Sequence, residues 1–217
     1  MKHTFPATLT LVTASLLSMG NAWAGRPLTI DDASVNDKGA GHVEAWIARE
    51  PGKVNTLNLA PAYSLFENVE LGALLSRDDT NNNNLSAIQA KWRITPTQEK
   101  GCNFAAILGA AHVSHNGGNG SFLTGVASCN GTAVGNVHLN LGLVKANNSS
   151  AKARWGVALE REIGGLTPHV EVFGVEGDKP TLQIGARKQL TKALQLDGTI
   201  GRSDGNTVYS LGAKYQF

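Results

Sequence analysis

The sequence predicts an all-β fold, an antiparallel up-and-down transmembrane β-barrel of about twelve strands. Three observations predict it. Apolar and polar residues alternate with a period of two along at least six short runs, which is typical of strands with two different faces. Only 17% of the 217 residues are charged, against roughly 25% in an average soluble domain. The chain also ends on an alternating run, whose last aromatic residues are Tyr215 and Phe217.

Turn residues divide the chain into twelve runs, most of about nine to eleven residues, which is long enough for a tilted strand to cross a bilayer. Breaks such as Pro51-Gly52 and Asp204-Gly205-Asn206 separate them. No stretch has a convincing helical period. We expect strands at 42–50, 54–65, 69–77, 85–94, 103–114, 120–129, 134–144, 152–160, 168–176, 181–188, 194–202 and 207–217.

Alternation alone does not say which face points inward. A soluble barrel buries its apolar face, whereas a membrane barrel turns that face to lipid. The membrane barrel is favoured because charge is sparse and because the polar face is rich in Gly, Ser and Gln, as expected of a narrow lumen. A soluble secreted β fold is the alternative.

The N-terminus predicts export. Lys2 and His3 precede an apolar stretch at 7–19, and Ala22-Trp23-Ala24 forms a small-x-small cleavage site. These features predict a secretory signal peptide at residues 1–24, cleaved after Ala24. We therefore expect the protein in the bacterial outer membrane, surrounded by outer-membrane lipid, with a monomer favoured. The balanced formal charge of +2 argues against a nucleic-acid partner.

The two cysteines, Cys102 and Cys129, predict a disulfide bond, because an even cysteine count in an exported chain usually reports one. The midpoint between them falls at the Gly- and Asn-rich stretch 115–120. A hairpin with its tip there would bring the two cysteines opposite each other at its open end.

The segment Gly25-Arg26-Pro27-Leu28-Thr29-Ile30-Asp31-Asp32-Ala33, followed by Val43-Glu44-Ala45-Trp46, resembles the start of a proteobacterial family of small outer-membrane proteins. The turn in Leu65-Phe66-Glu67-Asn68-Val69-Glu70-Leu71-Gly72 is similar to that family too. Its members are described as transporters related to the meta-pathway of phenol degradation. The C-terminal aromatic ending likewise resembles the signal of bacterial outer-membrane barrels. The resemblance implies an outer-membrane barrel and passage of small molecules, with no functional residues to carry over.

Charged residues on the polar face are the candidates for the lumen lining. Two interpretations stay open for them: a plug of salt bridges that holds the strands in register, because unpaired charges in a partly dry lumen are costly, or a selectivity lining for a hydrophilic solute. The facing of Glu171 is open. The predicted lumen-lining residues are Glu44, Glu70, Lys91, Arg93, Arg154, Glu160, Arg187, Asp197 and Lys214.

Residues 25–41 precede the predicted barrel at 42–217, and they contain the acidic pair Asp31 and Asp32. We favour a flexible periplasmic segment. The alternative is a tail folded into the mouth of the barrel, where its acids would pair with lumen arginines such as Arg93 or Arg187.

The function predicted is a passive channel or transporter for small solutes, without a cofactor, a metal or enzymatic chemistry. One alternative is a lipid hydrolase that uses His112 as base and Ser114 as nucleophile, since residues two apart on a strand share a face. Asn119, across the hairpin, would then orient the histidine. This pair is similar to the His-x-Ser motif of outer-membrane phospholipases, although His115 interrupts the pattern. The other alternative is a structural or adhesive barrel that acts through its external loops.

Overall fold

The computed structural model describes residues 28–115 and 117–217, so the signal peptide predicted at 1–24 lies outside the described residues. Within the described ranges, no helix is both long and apolar enough to span a membrane. The strands are β1 Gly41–Glu50, β2 Val54–Phe66, β3 Val69–Asp78, β4 Asn83–Arg93, β5 Gly101–Val113, β6 Gly118–Thr132, β7 Gly135–Lys145, β8 Lys152–Glu160, β9 Thr167–Val175, β10 Thr181–Gln189, β11 Leu194–Ser203 and β12 Asn206–Gln216.

The strands form one closed antiparallel barrel, in which each strand pairs with the next and β12 returns to β1. The predicted architecture is confirmed, and the predicted strands differ from the observed ones mainly at their ends. The largest difference is β6, which extends from Gly118 to Thr132 rather than from 120 to 129. Gly118 has a left-handed φ of 71°, a conformation that a glycine adopts readily as the hairpin turn enters the strand.

The seam between β1 and β12 closes the barrel. Their register runs from His42 opposite Gln216 to Arg49 opposite Tyr209. Beyond it, the Gly41 N–H donates to the Phe217 carbonyl at 2.8 Å, and the Phe217 N–H donates to the Gly41 carbonyl at 2.9 Å. The C-terminal residue therefore takes part in closure, which leaves the sheet without a free edge.

The apolar face of the wall points outward. Large aliphatic side chains such as Leu141 (70% exposed), Ile88 (66%) and Leu211 (63%) lie on the exterior, whereas polar side chains from the alternate positions are buried inside. An apolar exterior with a polar interior is the arrangement of a membrane barrel and the reverse of a soluble one. The faces are thus oriented as the sequence predicts.

The connections are short at both ends. The end that carries Gly41 and Phe217, here called the terminal end, has its connections at 67–68, 94–100, 133–134, 161–166 and 190–193. The opposite end, here called the far end, has them at 51–53, 79–82, 114–117, 146–151, 176–180 and 204–205. Cys102 and Cys129 are direct cross-strand partners near the terminal end, and the predicted disulfide bond joins them.

An apolar cluster fills part of the interior. This cluster was not predicted from the sequence. Apart from Ala33, its members come from strands β1–β7, and they include Trp46, Leu74, Ile107, Phe122 and Val144. The run at 103–114 is apolar on both faces, so alternation could not assign its inner face. The structure places Ile107 and Val113 inside and Leu108 outside.

Candidate functional site

The structure places most of the predicted lumen residues on the buried inner face. Glu44, Glu70, Lys91, Arg154, Glu160 and Asp197 are each less than 9% exposed. Arg93, Arg187 and Lys214 are more accessible and lie toward the terminal end of their strands. Their faces follow from the alternation of each strand.

Many of these charges are paired with one another. Lys214 Nζ lies 3.1 Å from Glu44 Oε1, and Arg187 donates to Glu160 Oε1 at 2.8 Å. His138 Nε2 lies 3.5 Å from the same Glu160 oxygen. These pairs join neighbouring or nearly neighbouring strands, and they agree with the interpretation in which interior charges fix the register.

Residues 28–40, here called the lumen segment, enter the barrel from its terminal end, and most of residues 28–36 are buried or half-buried inside it. The expectation of a flexible periplasmic segment is therefore wrong for these residues. Leu28, Ile30 and Ala33 are each 3% exposed or less. The segment leaves the start of β1 at the terminal end, where the Gly39 N–H donates to the Ser64 carbonyl, and crosses the interior toward β8 and β9. It is ordered because its amides find acceptors on the wall while its apolar side chains are buried.

Glu171 holds the beginning of the lumen segment. Its carboxylate accepts the N–H of Thr29 at 2.8 and 3.1 Å and the N–H of Ile30 at 3.0 Å. Gln183 Nε2 donates to the same carboxylate at 2.7 Å and to Thr29 Oγ1 at 2.8 Å. Glu171 is 1% exposed, so these donors satisfy the oxygens of a buried carboxyl group.

Asn140 and Ser128 hold the centre of the segment. Asn140 Oδ1 accepts the N–H of Asp31 at 2.9 Å, and Asn140 Nδ2 donates to the Asp31 carbonyl at 2.8 Å. Ser128 Oγ accepts the N–H of Ala33 at 2.8 Å and lies 2.8 Å from His138 Nδ1. The wall thus forms hydrogen bonds with main-chain groups at several positions along the segment.

The acidic pair lies beside Lys91. Lys91 Nζ is 3.7 Å from Asp31 Oδ1 and 3.7 Å from Asp32 Oδ1, and its side chain is 5% exposed. The positive charge of Arg154 also attracts the Asp31 carboxylate. The folded-tail alternative is therefore correct, but Arg93 and Arg187 were the wrong partners. Those two arginines lie toward the terminal end of the barrel, where Arg93 donates to Asn68 Oδ1 and Arg187 donates to Glu160.

The two acids of the segment experience different environments. Burial raises the pKa of Asp31, and the positive charges of Lys91 and Arg154 only partly oppose it. Burial also raises the pKa of Asp32, but Lys91, His138 and the Ser34 N–H outweigh it and hold that pKa well below its usual range. Asp32 is the more accessible of the two, with a side chain 28% exposed. The site therefore favours a charged Asp32 more than a charged Asp31.

The residues of the hydrolase alternative do not form the required relay. His112 lies on the outer face and its Nδ1 is 2.9 Å from Asn119 Oδ1. The Ser114 hydroxyl accepts the N–H of Asn84 and lies 2.9 Å from His115 Nδ1. The serine is therefore engaged by His115, whereas the relay needs His112 as its base.

Sequence reasoning missed Glu171, Gln183, Asn140 and Ser128 as contacts of the segment. One signal was present for Glu171, because Val170 and Val172 flank it in an alternating strand and an outward pair of valines implies an inward glutamate. Nothing in the local sequence links Glu171 to Ile30, since the two residues are 141 positions apart.

Similarity to known structures is found at the level of the fold. The chain is similar to KdgM porin with a TM-score of 0.68 and 12% identity, over 82% of this chain and 99% of that one. KdgM porin in complex with disordered oligogalacturonate matches with a TM-score of 0.66 and 11% identity, over the same shares. The outer membrane protein Omp33 of Acinetobacter baumannii matches with a TM-score of 0.52 and 10% identity, over 82% of this chain and 97% of that one.

The sequence comparisons place the chain in a family. No curated protein matches the sequence. A family model matches residues 12–208, which is most of the chain. The protein therefore belongs to the family described as Uncharacterised conserved protein UCP029691.

Proposed function

We propose that the protein is a passive channel for small hydrophilic solutes in the bacterial outer membrane, and that its lumen segment is a removable closure. The observation that carries this proposal is that a segment of the chain, held by hydrogen bonds, fills part of the lumen. The lumen segment, and not the side chains of the wall alone, occupies the polar side of the interior. The wall holds this segment largely through hydrogen bonds to its main chain. Such a segment can leave without unfolding the barrel.

The fold supports the location and the orientation. A closed barrel with an apolar exterior is the form in which β-strands cross a membrane. The fold shared with KdgM porin supports the channel role by analogy. The signal peptide at residues 1–24, cleaved after Ala24, accounts for export. In this proposal, the terminal end of the barrel, which carries the disulfide bond, faces the periplasm.

The interior chemistry favours hydrophilic solutes. Charged and amide side chains such as Lys91, Asn140, Glu171 and Gln183 line the path that the segment occupies. The resemblance to transporters related to the meta-pathway of phenol degradation stays a prediction that the solutes are small organic molecules. A monomer is sufficient, because the barrel closes on itself.

Conductance in planar bilayers tests the proposal. The mature chain is compared with a variant that lacks residues 25–34, both checked for folding by a heat-dependent shift in gel mobility. We expect the deletion to raise the single-channel conductance and the fraction of time spent open. A deletion variant that folds and inserts but carries no current would overturn the channel proposal.

A second pair of variants guards against a deletion that fails to fold. Ala33→Cys together with Ser128→Cys places two thiols where the Ala33 N–H now donates to Ser128 Oγ. Once oxidised, this cross-link retains the segment, and the channel is expected to stay closed. The single variant Ala33→Cys is the matched control, and it should open as often as the native chain.

The alternatives lack comparable support. The far-end connections are at most six residues long, which gives little support to an adhesive role. We propose no enzymatic chemistry for the pair His112 and Ser114, because Ser114 contacts His115 and Asn84 rather than His112.

A further inference from the structure

We propose that the lumen wall contains a binding site for short oligopeptides, specific for an apolar residue followed two positions later by an acidic residue, and that residues 29–33 occupy it as a built-in ligand. This inference rests on the proposed channel function. It assigns the site a ligand class, short peptides, that would compete with the lumen segment.

Main-chain recognition is the first observation. Glu171 accepts two consecutive N–H groups, and Ser128 accepts a third. Asn140 contacts both the N–H and the carbonyl of Asp31. A side-chain amide paired with both polar groups of one residue reads a peptide main chain rather than a particular side chain. The same groups would recognise the main chain of any short peptide that follows the path of residues 29–33.

A shaped pocket for one side chain is the second, independent observation. Ile30 packs with Phe173 and Ala158, and its side chain lies directly over Gly156. A Cβ placed on Gly156 would lie 2.7 Å from Ile30 Cγ1 and 2.8 Å from Ile30 Cδ1. The wall therefore has a glycine at the point where the apolar side chain needs the space.

Charge complementarity is the third observation. Lys91 lies beside the two residues that follow Ile30, at 3.7 Å from each carboxylate. Glu70 is the cross-strand neighbour of Lys91 and accepts the N–H of Asn36, so it limits the cationic region to the positions of Asp31 and Asp32. The wall thus selects a sequence pattern, an apolar residue at position 30 and an acidic residue at position 32, in addition to a main chain.

The experiment supplies the ligand in trans. The variant lacking residues 25–34 is purified and refolded, and a synthetic peptide of residues 25–34 with a C-terminal fluorophore is added. Binding is measured by fluorescence anisotropy and closure by bilayer current. We expect the native peptide to bind at least tenfold more tightly than a scrambled peptide of identical composition, and to close the channel at correspondingly lower concentration.

The matched wall variants are Gly156→Ala and Gly125→Ala, each built in the same deletion background. An added Cβ at Gly125 has only an ordinary contact at 3.6 Å, with the Leu141 carbonyl oxygen. We expect Gly156→Ala to lose at least tenfold in affinity for the native peptide and Gly125→Ala to retain it. Equal binding of native and scrambled peptides, or an unchanged affinity in Gly156→Ala, would overturn the inference.

The two readouts separate the two proposals. Sequence-specific peptide binding to a folded barrel that carries no current would contradict the channel and support the peptide site. A conducting deletion variant that binds neither peptide would support the channel and contradict the peptide site. If the deletion does not fold, Gly156→Ala in the full chain takes its place. It is expected to displace Ile30 and raise the conductance, and an unchanged current there would count against the site.

Discussion

Asn140 and Asp31 are joined by a reciprocal pair of hydrogen bonds, of 2.9 Å from the Asp31 N–H and 2.8 Å to the Asp31 carbonyl, although they lie 109 residues apart in the sequence. This pair fixes the middle of the lumen segment to β7. It shows that the wall contacts the main chain of the segment, and the proposed release of the segment would break both bonds. Ala33, 1% exposed, offers a reporter for it. A cysteine there reacts with a thiol reagent only when the segment leaves.

Glu171→Gln is expected to loosen the lumen segment. The carboxylate accepts N–H groups from Thr29 and Ile30, and a neutral amide offers one oxygen and a repelling NH₂ group in its place. Loss of hydrogen bonds to a buried acceptor costs about 1.5 kcal/mol, or roughly a tenfold change in the equilibrium. Thiol labelling of Ala33→Cys should accelerate accordingly. Glu160→Gln is the control, since that buried acid contacts His138 and Arg187 instead. Similar acceleration in both variants would contradict the assignment.

Asp31→Asn and Asp32→Asn are expected to act in opposite directions. The pKa of Asp31 is raised by burial, so the docked state disfavours its charge, and a neutral isostere should slow the labelling of Ala33→Cys. The pKa of Asp32 is lowered beside Lys91, so the docked state gains from that charge at neutral pH and loses the gain as pH falls through the ordinary value of 3.8. Asp32→Asn should therefore speed the labelling at pH 7. Equal rates in the two variants would refute the difference between their sites.

Ser114→Ala is expected to leave every activity of the protein unchanged. Its hydroxyl contacts the Asn84 N–H and His115, and His112 contacts Asn119. Fatty-acid release from phospholipid vesicles should be at background for both the native chain and the variant. Hydrolysis by the native chain that disappears in Ser114→Ala would establish the alternative instead.

Replacement of both Cys102 and Cys129 by serine is expected to preserve the barrel and lower its stability. The disulfide closes a loop with a sequence separation of 27, for which the chain-entropy estimate is about 3.5 kcal/mol. The hairpin itself persists, because β5 and β6 pair from Gly101–Asn130 to Val113–Gly118. A lower urea midpoint with unchanged heat-modifiable mobility would meet this expectation. An unchanged midpoint would show that the loop is already ordered in the unfolded state.

Local patterns predicted the wall because each strand carries its own information. Leu139 and Leu141 alternate with His138 and Asn140, and this alternation specifies both the strand and its faces. The Cys102–Cys129 pair followed from a hairpin of known midpoint. Residues 28–40 have no periodicity, and their structure depends on partners such as Glu171 and Asn140 that lie more than a hundred positions away. Arg93 was predicted as a partner in place of Lys91 for the same reason. Alternation gives the face on which a residue lies, but not how far along the barrel axis the lumen segment extends.

The lumen segment also has a mechanical consequence for the wall. It is bonded at the same time to β3 through Glu70, to β6 through Ser128, to β7 through Asn140 and to β9 through Glu171. These strands lie on different sides of the ring, so the segment links the ring across its diameter. A barrel that retains the segment resists flattening of its cross-section by lateral pressure from the bilayer, whereas one that has released it is free to become elliptical.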